Sequence, residues 1–353
     1  MSGIYNPTKP YNERIRQLIR DTHPRKGPLI VRPDGKRFER LMDETHWKDF
    51  TFKDASDTIG SKGLLHWLMG TLPNGMQDAF AMVSGDLMEG GFIPFSLQDY
   101  IQIQEEDDEQ IFASVQKLRD LCVENSWETS DGRKYPIAIT GGDTSVVNTI
   151  QGCEIAITAT GYVRKGEKII PDAQPGDVLI GIASNGVHSN GFTFYREKLD
   201  KRGIGLQTQV STTTVGEELV RPTHIYMPAL RELIKEMRPY IRGMVHITGG
   251  GFSKLRELIP EGRDIDIEVG RIHRLKPQEI FWYAFEELGM PSEDMYTRFN
   301  NGVGYVVAVS PTKVEPALSI VRKYFSADTI GQITRGQRRV LVESEYENKT
   351  IVL

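Results

Sequence analysis

Apolar and polar positions divide the chain into stretches of period two, stretches of helical period and polar connectors. Ile93–Ile103 and residues 153–163 alternate as strands do, with Cys153, Ile155 and Ile157 on one side. Val178–Ala183 is apolar on both faces, the pattern of a central strand. Residues 136–140, Val303–Val309 and residues 340–344 predict further strands. Helical spacing marks residues 109–125 through Ile111, Val115, Leu118 and Cys122, and residues 228–237 through Leu230, Leu233, Ile234 and Met237. Residues 13–19, 64–69 and 313–324 also read as helices, and the run 77–90, apolar on several faces, predicts a mostly buried helix carrying Asp86. Residues 24–36 read as loop with one short strand. The polar run 54–62 reads as a loop entered from residues 50–53. Strands and helices mix without strict βαβ alternation, which predicts an α+β protein of two domains. The Pro-, Gly- and Lys-containing stretch 164–176 is the boundary, giving domains 1–165 and 166–353.

Length and composition narrow the class. The chain has 353 residues, 39% hydrophobic and 26% charged, enough for a large core. The net charge of −5 and the shortness of basic runs such as Arg335-Gly336-Gln337-Arg338-Arg339 argue against a nucleic-acid partner. No apolar run approaches membrane-spanning length, and the polar first twelve residues, with Pro7 and Pro10, do not read as a signal peptide. The two cysteines, Cys122 and Cys153, fall at core positions and form neither a zinc motif nor a disulfide framework. A reducing, cytoplasmic compartment is expected.

The candidate chemistry lies first in two loops of the second half. Val178–Ala183 runs into Ser184-Asn185-Gly186-Val187-His188-Ser189-Asn190-Gly191, and Val245 into His246-Ile247-Thr248-Gly249-Gly250-Gly251. A helical pattern follows each. Gly-, Ser- and Asn-rich loops at helix starts present backbone N–H groups to a phosphate. Either loop alone reads equally as a tight turn needing glycine for positive φ. Their pairing, each with an embedded histidine, points to a phosphorylated ligand.

The first half supplies carboxylates at loop and strand ends: Asp54, Asp57, Asp86, Asp99 and Asp143. Mg²⁺ on a nucleotide takes one or two carboxylates beside phosphate oxygens and waters. Lys62, past Gly60 and Ser61, could meet a phosphate as a point charge. Aspartates also cap helices and fill turns. Asp86 stands out because it sits inside an apolar run, where a carboxylate needs a partner or a metal.

Taken in order, these segments resemble the phosphoribosylformylglycinamidine cyclo-ligases, the aminoimidazole ribonucleotide synthetases of purine synthesis, within the PurM-like superfamily. The likeness is strongest from Gly176 to Gly304. Residues 181–191 are similar to the family's Gly-Leu-Ala-Ser-Ser-Gly-Leu-His-Ser-Asn-Gly loop. Residues 218–226 resemble its Glu-Leu-Leu-x-Pro-Thr-Arg-Ile-Tyr, residues 246–251 match its His-Ile-Thr-Gly-Gly-Gly, and residues 299–304 resemble its Phe-Asn-x-Gly-Ile-Gly. The first half matches more loosely. Asp57-Thr58-Ile59-Gly60-Ser61-Lys62 stands for Asp-Gly-Val-Gly-Thr-Lys, Gly85-Asp86-Leu87 for Asn-Asp-Leu, and Gly141-Gly142-Asp143-Thr144 for Gly-Gly-Glu-Thr. Asp99-Tyr100 fits an Asp-Tyr pair, but Ala-Thr-Gly-Lys does not follow; Val146 occupies the place of a second Glu; and residues 25–40 lack the usual glycine-rich segment.

The resemblance implies a two-domain PurM-like fold: an N-terminal ATP-binding sheet domain that forms a barrel with a second subunit's, and a C-terminal α/β substrate-binding domain. The site would lie between them. It implies an ATP-dependent ligase that phosphorylates the amide oxygen of formylglycinamidine ribonucleotide, whose own nitrogen then closes the imidazole ring with loss of phosphate. ATP and Mg²⁺ are implied, with a homodimer. The implied nucleotide residues are Asp57, Gly60, Ser61, Lys62, Asp86, Asp99, Asp143 and Thr144, with Asp57, Asp86 and Asp143 on the metal. The substrate residues are His188, Ser189, Asn190, Gly191, Thr248, Gly249, Gly250 and Gly251, and the catalytic ones His246, Lys62 and Asp57. A superfamily member using ATP on another acceptor, or a nucleotide-binding protein without activity, are the alternatives.

Overall fold

The computed structural model describes residues 10–34 and 37–353. Residues 1–9 of the polar N-terminus, and residues 35 and 36 of the stretch expected to lack a glycine-rich segment, lie outside the described residues. The chain forms two compact units, residues 1–87 with 92–168 and residues 88–91 with 169–353.

The first unit opens with helix α1 (Pro10–Arg20) and the hairpin β1 (Leu29–Asp34) and β2 (Arg37–Met42). There follow β3 (Phe50–Thr58), α2 (Lys62–Met69), α3 (Leu72–Glu89), β4 (Ile93–Ile103), α4 (Asp108–Glu124), β5 (Ala138–Val146) and β6 (Cys153–Arg164). Four of these strands make a sheet of order β3-β6-β4-β5, antiparallel except for the β4–β5 pair. One face is apolar and buried: Leu97, Ile101, Ile155, Ile157 and Ala159. Helix α3 packs there, with Ile155 Cδ1 only 3.2 Å from where a Cβ would stand on Gly75. The other face carries Gln98, Tyr100, Thr158 and Ser56, all exposed. Two-sided strands of this kind alternate in and out, as residues 153–163 predicted.

The polar run 54–62 is not all loop. Strand β3 continues to Thr58, pairing Asp54 through Thr58 with Thr160 through Ala156. Its polar side chains fit because β3 is an edge strand with one open face. Ser56 Oγ lies 2.7 Å from Thr158 Oγ1, and Thr160 Oγ1 donates to Asp54 Oδ1 at 2.7 Å. Cross-strand hydroxyl pairs of this type stabilise a sheet without apolar residues.

The second unit contains β7 (Val178–Ala183), α5 (Phe192–Arg202), α6 (Met227–Met237), β8 (Ile241–His246), a 3₁₀ segment (Gly251–Leu258), β9 (Ile265–Val269), α7 (Ser292–Arg298), β10 (Val303–Val309), α8 (Val314–Val321), β11 (Ala327–Arg335), β12 (Val340–Glu343) and β13 (Thr350–Val352). Its seven-stranded sheet has the order β8-β10-β7-β11-β9-β12-β13, with β9–β12 the parallel pair. Every residue of β10 is buried, and β7 lies beside it. Central strands covered on both faces are apolar throughout, which is why both were readable as unbroken runs. The pattern after residue 251 is a 3₁₀ segment rather than an α-helix.

Candidate functional site

Four separated motifs meet in the second unit. Loop 184–191 leaves β7 and is held from two sides. Ser184 Oγ donates to Asn300 Oδ1 at 2.7 Å, Asn300 Nδ2 donates to the Gly186 carbonyl at 2.8 Å, and Gly302 N–H donates to Asn300 Oδ1 at 3.0 Å. From the other side Asn185 Nδ2 donates to the Pro222 carbonyl at 2.8 Å, and Ser189 Oγ lies 3.1 Å from Thr223 Oγ1. A Cβ on Gly249 would stand 3.4 Å from Asn190 Oδ1, so the two glycine loops are neighbours. Loop 246–251 exposes Gly249 and Gly250, while Ser189, Asn190 and Gly191 are half-buried. These five form the accessible floor, whereas Thr248 and Gly251 are buried. Gly250 has φ +92° and Gly251 φ +53°, conformations that favour glycine, and the Gly251 N–H closes the turn on the Thr248 carbonyl at 2.9 Å.

The histidines take other places than expected. His246 is fully buried, its ring stacked on Tyr305 at a 5.4 Å centroid separation and edge-on to Tyr226. Its backbone N–H donates to Glu89 Oε1 at 2.9 Å. The ring is packed among aromatics, and the backbone anchors the start of the loop. His188 is also buried, in a left-handed conformation at φ +62°, with Nε2 3.0 Å from Asn185 Oδ1. It shapes the loop from inside instead of facing a ligand.

In the first unit, β3 ends in the turn Asp57-Thr58-Ile59-Gly60-Ser61. Asp57 Oδ1 accepts from Thr58 N–H at 2.7 Å, Gly60 N–H donates to Thr58 Oγ1 at 3.1 Å, and Ile59 N–H donates to the Ile155 carbonyl. Glu154, the next same-face residue of β6 beyond Ala156, bonds Thr58 and the Gly60 backbone. Burial pushes its carboxyl above the usual range.

Lys62 lies deeper than its place in the motif suggests. It is fully buried, with Nζ 2.9 and 2.8 Å from the two oxygens of Asp78. His66 Nε2 lies 2.8 Å from Asp78 Oδ2, and its Nδ1 2.9 Å from Thr71 Oγ1. With the Thr71 hydroxyl donating to Nδ1, a neutral His66 donates Nε2–H to Asp78. Burial by itself would raise the Asp78 carboxyl, but Lys62 and His66 outweigh it and hold it at about 2. A lysine so enclosed cannot serve as a point charge for a phosphate. The buried acid of this helix is Asp78; Asp86 is half-buried.

The sheet register separates the remaining carboxylates. Asp57, Ile157, Asp99 and Gly142 lie in one cross-strand row, and Thr58, Ala156, Tyr100 and Asp143 in the next. Successive rows project to opposite faces. Asp57 and Asp99 therefore point toward the helix side and Asp143 outward. Among the described residues no three His, Cys, Asp or Glu side chains come together as a metal cage, so the trio Asp57, Asp86 and Asp143 is not one. Asp99 and Asp143 do interact: burial drives the Asp99 carboxyl up to about 7, the charge of Asp143 adds to the rise, and the bond to its own backbone N–H opposes it. Pointing to opposite faces, the two do not converge on one ion; Asp143, which is exposed, is the one open to a nucleotide-borne Mg²⁺, which needs one or two carboxylates.

A raised acid stabilises the fold below its unfolded value of 3.8 and loses that contribution as pH rises toward about 7. Asp99→Asn is therefore expected to stabilise the ligand-free protein at pH 8 by on the order of 2–3 kcal/mol. It should change little at pH 4. Melting curves of the variant and the parent across that range check it.

Comparison with known proteins follows the same lines. Residues 174–343 match the family model described as AIR synthase related protein, C-terminal domain. A protein of Thermococcus gammatolerans named phosphoribosylformylglycinamidine cyclo-ligase is 34% identical over 300 residues, 84% of this chain and 83% of that protein. One of the same name from Pyrococcus furiosus is 32% identical, covering 93% of this chain and 91% of its own length. Among solved structures, HypE of E. coli superposes with a TM-score of 0.64 at 18% identity over 97% of this chain and 96% of that one. Thiamine-monophosphate kinase of Stenotrophomonas maltophilia gives 0.61 at 16% identity, over 96% and 98%. At such identities these structures speak to the fold alone. Among the described residues no helix is long and apolar enough to cross a membrane.

Proposed function

The chain belongs to the phosphoribosylformylglycinamidine cyclo-ligase family, and we propose from that premise which of its parts carry the reaction. The activity is the ATP-dependent conversion of formylglycinamidine ribonucleotide to aminoimidazole ribonucleotide, with release of ADP and phosphate, a step of purine biosynthesis. An amide oxygen is a poor leaving group until it is phosphorylated. The protein must hold two phosphorylated molecules with their reacting atoms aligned.

The first unit binds ATP. The turn Asp57-Thr58-Ile59-Gly60-Ser61, whose Thr58, Ile59 and Gly60 N–H groups are held within the protein, lies beside the nucleotide, and Thr144 and Asp143 flank it. Asp143 would contribute a carboxylate to Mg²⁺, which neutralises phosphate charge when bound. Lys62 keeps the turn in place through its buried bond to Asp78. The second unit holds the ribose phosphate on Ser189, Asn190, Gly191, Gly249 and Gly250. The observation that carries this reading is the convergence of four distant motifs around the two accessible glycine loops. ATP hydrolysis that appears only when formylglycinamidine ribonucleotide is added is the expected result. Hydrolysis indifferent to that substrate would count against it.

The open face of the first sheet pairs with its counterpart in a second copy. Phe52 and Tyr100 are 40 and 38% exposed on the open face of β3 and β4, an unusual load for one small sheet. Light scattering should give a dimer at micromolar concentration, and Phe52→Glu with Tyr100→Lys should give a monomer. Cytoplasmic residence accords with two free, buried thiols, Cys122 and Cys153.

A further inference from the structure

One ion pair of the second unit belongs to none of the motifs yet encloses the loop proposed to hold the ribose phosphate. Glu89 Oε1 accepts the His246 backbone N–H at 2.9 Å, where β8 enters that loop. The same oxygen lies 3.6 Å from Lys254 Nζ. Lys254 Nζ in turn donates to Thr248 Oγ1 at 3.0 Å. The stem of Lys254 runs beside Gly250, its Cγ 3.7 Å from where a Cβ would stand. A carboxylate thus holds the entry of the loop, an ammonium holds its middle, and the two hold each other.

We infer that Glu89 and Lys254 are positioning residues for substrate binding, an ion-pair clamp that fixes His246 to Thr248 and cancels the carboxylate's charge beside an anion site. The inference rests on the reading that this loop holds the phosphate. Two consequences separate the clamp from ordinary packing. The side chains are only 18% and 19% exposed, so solvent screens their charges weakly. Removing Lys254 therefore takes this counter-charge from the carboxylate, loosens Thr248 and leaves more negative charge facing a dianionic phosphate. Converting Glu89 to glutamine does neither: the amide oxygen still accepts from His246 N–H, and the negative charge is gone. The roles are unequal, and the second change should partly repair the first.

The experiment is a kinetic cycle with formylglycinamidine ribonucleotide and ATP on the full chain. Lys254→Met should lower kcat/KM for the ribonucleotide by about 30-fold or more while the KM for ATP stays within about twofold. Glu89→Gln should cost about threefold or less, and the double variant should lie between the two. Lys254→Met within about twofold of the parent, or a double variant no better than Lys254→Met, overturns the clamp. Hydrogen exchange of the peptide spanning residues 244–252 gives a second readout that needs no activity. Its amides should exchange faster in Lys254→Met than in the parent, and unchanged exchange overturns the clamp as well. If the parent itself shows no turnover of the ribonucleotide, the functional reading fails, and the exchange result still decides whether the clamp orders the loop.

Discussion

Asp78→Ala should destabilise the first unit by on the order of 3–5 kcal/mol, because it strands a fully buried lysine without its counter-charge. That is a large part of the stability of an ordinary domain, roughly 5–15 kcal/mol. His66 loses the acceptor of its Nε2–H in the same stroke. Replacing both charged partners, as in Lys62→Met with Asp78→Leu, should recover part of the loss: an apolar pair of similar volume carries no desolvation penalty, while the His66 Nε2–H stays without its acceptor. The pH dependence has a definite sign. Asp78 is held at about 2 in the folded protein against 3.8 for the free side chain, so its contribution is complete above 3.8 and is lost as pH falls toward 2. The stability of the parent should fall across that window by on the order of 2 kcal/mol, a component that the Lys62→Met, Asp78→Leu variant lacks. Denaturant midpoints of the three proteins between pH 5 and 2 measure both effects.

Gly250→Val should lower kcat/KM for the ribonucleotide by about a hundredfold and leave the KM for ATP within about twofold. The position has room: the nearest atom to an added Cβ is Lys254 Cγ at 3.7 Å. The cost lies in the backbone, whose φ of +92° a β-branched residue does not adopt, and in the cover that valine puts over N–H groups meant for a phosphate. Strain of about 1–3 kcal/mol together with one lost hydrogen bond to a charged group, about 1.5–3 kcal/mol, accounts for such a factor. Gly249→Ala is the control. It is equally exposed, has no positive φ, and brings its Cβ to 3.4 Å from Asn190 Oδ1, so it should lose far less. Equal kinetics for both variants and the parent would make the loop a structural turn.

The elements that were legible in the sequence are those whose environment is uniform. Ile93–Ile103, Val178–Ala183 and Val303–Val309 have the bounds that their apolar patterns predict, because alternation or full burial leaves a direct mark on residue type. Strand β3 was misread because an edge strand with an open polar face resembles a loop in composition. Strands β9 and β11 went unread: the first is five residues long, and in the second a bulge opposite β7 breaks the alternation. The glycine loops could be recognised from their residues, and the structure brings them together. The partners that decide individual roles could not. Lys62 stands at the end of a phosphate-like motif, yet its charge is spent on Asp78, a residue on another helix that no spacing rule links to it. The reasoning that singled out Asp86, an acid inside an apolar run, applies better to Asp78, which lies earlier on the same helix. His246 was placed correctly beside the loop, but its burial against Tyr305 comes from strand pairing between β8 and β10. Glu89 and Lys254 meet only in three dimensions.

The central claim is that the chain closes the imidazole ring of formylglycinamidine ribonucleotide at the expense of ATP. Purified protein incubated with both compounds and Mg²⁺, with the products separated and weighed by mass spectrometry, tests it most directly. The account predicts aminoimidazole ribonucleotide, ADP and phosphate in equal amounts, with turnover abolished when either ATP or the ribonucleotide is withheld. ADP formed without the aminoimidazole product, or no consumption of the ribonucleotide by a folded protein, would contradict it.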